Sequence, residues 1–101
     1  VLRFWRPLVV HAVEHQPLFR ALVGRNSGRF VERRFRKVVV TLVGEELAER
    51  DLGELPRQAT VEFVAGGMME LLSSALDART LSVDALDRQV QRFVARVLGA
   101  G

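Results

Sequence analysis

Two adjacent glycines, Gly66 and Gly67, lie in the middle of a stretch whose other signals are all helical. On a 3.6-residue wheel, Ala59 to Asp77 sets Val61, Val64, Ala65, Met68, Leu71, Leu72 and Ala75 on one side, an ordinary core stripe. The other side holds Ala59, Phe63, Gly66, Gly67, Glu70 and Ser74 and is nearly bare of large side chains. Each mid-helix glycine costs about 1 kcal/mol relative to alanine. A helix that keeps two of them lets a second backbone come close, so this face reads as a helix-packing seam.

The rest of the chain is read around that helix. With 101 residues, 49% of them apolar, the chain is one domain with a modest core. There is no cysteine, hence no disulfide framework, thiolate metal site or cysteine nucleophile. Uninterrupted apolar runs such as Val38 to Val40 fall far short of a membrane span, and Val1 to Pro7 lacks the apolar core of a signal peptide. A cytoplasmic location is the expectation, with no membrane partner. The absence of an initiator methionine suggests a piece of a longer protein. The net charge of +3 is too small to imply nucleic-acid binding. Its arrangement says more: Arg25 to Lys37 holds six basic residues and one acid, while Glu45 to Glu54 holds five acids and one arginine. Solvated helix faces account for most such blocks.

Five helices are expected. Leu8 to His15 is helical with Pro7 in its first turn, and Phe4, Trp5, Leu8 and Ala12 share a face. Gln16-Pro17 ends that helix, and a short one follows over Leu18 to Val23. Gly24 to Gly28 is rich in turn residues. The third and longest runs from about Arg29 to Glu49, with Val31, Phe35, Val38, Val39, Leu42 and Val43 as its stripe. Unbroken i, i+3, i+4 spacing rules against a strand over the β-branched run Val38 to Thr41. Basic residues first and acidic residues last oppose the helix dipole there, so tertiary contacts or a partner must hold this helix. Pro56 opens the fourth. Ser82 caps the fifth, which buries Val83, Leu86, Val90, Phe93 and Val97 and ends at Gly99.

Three stretches carry a family likeness. His15-Gln16-Pro17-Leu18-Phe19-Arg20-Ala21-Leu22-Val23-Gly24 makes a bend between two helices. Gly28-Arg29-Phe30-Val31-Glu32-Arg33-Arg34-Phe35 opens the long one. Val61 to Leu72 includes the glycine pair. In this order the chain resembles the C-terminal ligand-binding and dimerisation domain of tetracycline-repressor-type (TetR family) transcription regulators. Two features differ from the family pattern: the N-terminal helix-turn-helix is absent, and Ser73-Ser74 stand where an aromatic pair is common. The resemblance implies an all-α five-helix bundle whose last two helices pair with those of a second copy in a four-helix dimer interface. Ala59, Phe63, Gly66, Gly67, Glu70 and Ser74 would form that interface with Leu86, Val90, Phe93 and Val97. It also implies a pocket for a small apolar or amphipathic effector, lined by Trp5, His11, His15, Phe19, Phe30, Phe35, Val39 and Phe63. Operator DNA would be bound only through the absent domain.

Chemistry outside that reading is sparse. His11 and His15, the only histidines, are spaced i, i+4, a geometry that can hold a metal. Glu14 points a quarter-turn or more away and no third histidine exists, so pocket lining is preferred and no metal is assigned. The serines form no nucleophile–base pair, so no catalytic residue and no cofactor are expected. Gly66-Gly67 cannot cradle a phosphate, because its amides are bonded within a helix. Stacking platforms for nucleic acid are lacking around Arg33, Arg34 and Lys37. The rival to the regulator reading is a helical interaction module that dimerises or docks a partner without sensing a ligand.

Overall fold

The computed structural model describes residues 2–23 and 28–99, whose regular structure is five α-helices. In chain order they are α1 (Trp5–Glu14), α2 (Gln16–Val23), α3 (Arg29–Leu47), α4 (Arg57–Asp77) and α5 (Val83–Val97). The expected all-α five-helix bundle is therefore what forms; the turn expected at 24–27 lies outside the described residues.

α1 starts three residues earlier than Leu8 and runs straight through Pro7. Proline in a first turn loses no helical hydrogen bond, because those N–H groups have no carbonyl behind them. The earlier start brings Trp5 into the helix, where it is buried with Val9 and Ala12. Its indole Nε1 donates to the Leu86 carbonyl of α5 at 3.4 Å. α1 turns at His15 directly into α2, which buries Phe19 and Val23.

α3 confirms that the β-branched run is helical, but its buried edge differs from the expected stripe. Val39, Val43 and Leu47 are buried at i, i+4, i+8, Phe35 and Leu42 are half-buried, and Val31 and Val38 are exposed. Its unfavourable charge order is met by a tertiary contact. Arg57, at the start of α4, donates to the carbonyls of Leu47 and Arg50, placing a cation on the negative end of the α3 dipole.

α4 is the centre of the bundle and packs against α2, α3 and α5, most extensively against α3. Three partners demand a wide buried arc, so Thr60, Met69 and Leu76 join Val61, Val64, Ala65, Met68 and Leu72 in the core. Leu71 and Ala75, expected there, are only half-buried. The Thr60 hydroxyl donates to the Pro56 carbonyl at 2.7 Å, so its burial strands no polar group. α4 is long and apolar enough to cross a bilayer by length and composition alone, with mean hydropathy 1.2, a feature missed by counting uninterrupted apolar runs. A helix at the centre of a bundle passes the same test.

α4 ends in a Schellman motif. Arg79 takes φ +57°, its N–H bonds the Leu76 carbonyl, and the Thr80 N–H reaches back to Ala75 at 2.9 Å. α5 begins at Ser82, whose hydroxyl accepts from the Ala85 N–H, and stops at Gly99 with φ +69°. Its buried residues are Leu86, Val90 and Val94. Phe93, expected in the buried stripe, is 60% exposed: α5 is rotated so that Val94 takes the inward position.

Candidate functional site

The glycine-bearing face of α4 is open. Ala59, Phe63, Gly67, Glu70 and Ser74 are all exposed, and Phe63 is 72% exposed. A Cβ built on Gly67 meets no atom within 4 Å, whereas one on Gly66 meets the Arg36 guanidinium at 3.5 Å. Gly66 is thus partly covered by an α3 side chain and Gly67 by nothing among the described residues. Beside Gly67 runs a small groove of about 70 Å³ between α4 and α5, floored by Met68, Leu71, Val90 and Val94 and rimmed by Phe63 and Phe93. The ten residues expected at a dimer interface divide accordingly. Phe63, Gly67, Phe93 and Val97 line this groove. Ala59, Glu70 and Ser74 extend its α4 side, and Gly66 sits against α3. Leu86 is buried within the protomer, and Val90 is buried with one edge on the groove floor.

The eight residues expected around an effector are not gathered at one cavity. Trp5 and Val39 are fully enclosed in the packed core. Phe19 is buried edge-to-face against Phe35, with ring centroids 6.0 Å apart. Phe63 belongs to the α4–α5 groove. His11 and His15 are exposed on the outside of α1. Phe30, 70% exposed, lies with Phe35 along a different and larger groove on α3, lined also by Leu22, Val31 and Val38. Arg33, Arg34 and Lys37 edge that groove, and the Arg34 guanidinium lies 5.6 Å from the Phe30 ring centre. Its volume is about 700 Å³, and apolar walls with a cationic rim suit an amphipathic anion.

One ion cluster joins α1 to α5. Arg6 donates to Asp84 at 2.7 Å and to Asp87 at 3.2 Å. The hydrogen bond from Arg6, reinforced by its charge, holds the Asp84 carboxyl below the usual aspartate range, and the two carboxylates raise Arg6 above its ordinary value. Arg6 and Asp84 are solvent-exposed and Asp87 half-buried, so the cluster orients two helices more than it stabilises them.

The histidines are closer to a ligand set than the spacing suggested. Donor atoms of His11, Glu14 and His15 all lie within 4.8 Å of one another, because the backbone leaves the helix at His15 and the elbow turns these side chains together. Compared with models of known protein families, with curated proteins and with solved structures, the chain matches none of them.

Proposed function

We propose that this chain is the effector-binding and dimerisation domain of a bacterial TetR-type transcription regulator, working in the cytoplasm as a homodimer. The observation that carries the dimer is Gly67: a costly mid-helix glycine over which an added Cβ would meet no atom of the described residues within 4 Å, flanked by exposed Phe63 and Phe93. A two-fold copy of the same face would bury both rings and lay α4 and α5 against their counterparts as four helices. The effector is a small amphipathic molecule, and the cation-rimmed groove of α3 is the site that suits it. Effector binding would favour one spacing of the two subunits and so act on DNA-reading heads carried outside this chain.

Sedimentation velocity tests the seam. Gly67→Gln has open space in the protomer and improves helix propensity, so the monomer keeps its fold. In the seam the same side chain holds the paired backbones apart. The expected result is a wild-type dimer and a folded, monomeric variant; a wild-type monomer at all concentrations refutes the reading.

The packed interior favours a second reading, a helical interaction module with no small-molecule ligand. Trp5, Val9, Val39 and Val43, on the helices expected to wall an effector cavity, are all buried in one packed core. A thermal-shift screen of amphipathic anions separates the two, since a sensor gains stability by mass action and a pure interaction module does not.

A further inference from the structure

We propose that His11, Glu14 and His15 form a surface site for an imidazole-seeking divalent transition-metal ion, Zn²⁺ in the first instance. The site is independent of the dimer seam and of the α3 groove. Two imidazole nitrogens and one carboxylate oxygen are the donor types that zinc takes, leaving its fourth position to water. Bond lengths near 2.1 Å require donors roughly 3.4 Å apart in a tetrahedral shell. The three donors already lie within 4.8 Å of one another. The two rings stand almost parallel, 23° between planes, with centroids 6.2 Å apart. All three side chains are exposed, so rotations about their own χ bonds close the remaining gap without moving the backbone.

The site lies at the junction of two helices. Glu14 is the last residue of α1 and His15 its C-cap, with the His15 N–H on the His11 carbonyl at 2.9 Å. The site therefore sits where the negative end of the α1 dipole meets the positive end of the α2 dipole, so the backbone field is mixed and the three side chains carry the binding. Arg6 and Arg20, each five residues from the site along the chain, are both engaged elsewhere: Arg6 with Asp84 and Asp87, Arg20 with the Leu76 carbonyl and Gln16. A bound ion would pin the elbow between α1, which packs on α5, and α2, which packs on α3 and α4.

The test is calorimetric titration of the tag-free chain with Zn²⁺, with Mg²⁺ as the hard-ion control, alongside His11→Ala, His15→Ala and Glu14→Gln. None of the three side chains is in the core, so the variants fold, and circular dichroism checks that they do. One Zn²⁺ per chain is expected, no Mg²⁺, with affinity falling about ten-fold or more for each histidine variant and less for Glu14→Gln. NMR shifts on Zn²⁺ addition should centre on the two imidazoles. Zinc affinity unchanged in either histidine variant, or no Zn²⁺ binding at millimolar concentration, overturns the site.

Discussion

Two helices end through a residue in the left-handed region, and they use different amino acids for it. α5 ends at Gly99, as its sequence announces, while α4 ends at Arg79, whose side chain is penalised at φ +57°. Nothing in Ala78-Arg79-Thr80 signals that geometry, because the Schellman hydrogen bonds and not the residue type impose it. Arg79→Gly should therefore raise stability by about 0.5–1 kcal/mol, and Gly99→Ala should lower it by about 1 kcal/mol. Urea unfolding followed by circular dichroism measures both, and equal signs for the two changes would contradict the assignment. The same scale explains why the histidine–glutamate cluster was only half legible. An ideal wheel separates Glu14 from His15 by a wide angle, but His15 leaves the helix at φ −133° and the wheel no longer applies.

At the scale of elements, periodicity found every helix and most of the buried edge of α4, but misplaced part of the inward edge of α3 and α5. The apolar stripe of α3 is wider than the strip its neighbours can cover, so Val39 is 1% exposed and the adjacent Val38 is 55% exposed. Sequence offers no means of choosing between them, since both are β-branched and apolar; the positions of α2 and α4 decide. Val39→Ala should cost about 2 kcal/mol through the cavity it leaves, and Val38→Ala less than about 0.5 kcal/mol. Comparable losses from both would mean that α3 is rotated from the position described. The Arg6 cluster tests the contact between α1 and α5 by pH. Asp84 has its carboxyl pKa lowered in the folded chain, so its contribution is present above the unfolded aspartate range and lost as pH falls through the lowered value. Urea midpoints measured across the acid range should fall less steeply for Asp84→Asn than for the wild type. Arg6 contributes no change there, because its raised pKa keeps it charged throughout.

For the whole molecule, the question is what the interior leaves undone. One hydrophobic core joins all five helices, and the indole of Trp5 and the guanidinium of Arg57 tie distant backbone carbonyls into it. Yet Phe63, Phe93 and Phe30 remain outside, each more than half exposed. The open face of α4 was legible because it shows as a local anomaly, a glycine pair in a helix. A pocket between helices leaves no such mark, and the aromatic residues expected to line one instead divide between the core and two separate grooves. If the seam pairs two copies, folding and association are one equilibrium, and stability must depend on protein concentration. A hundred-fold increase in concentration adds about 2.7 kcal/mol per dimer, which for two such chains raises Tm by roughly 6 °C. Phe93→Glu puts a charge on the groove rim without touching the buried residues of α5, so the variant should keep its helix content and lose the concentration dependence. A wild-type Tm that does not move with concentration would leave Gly67 without a partner and remove the basis for the dimer.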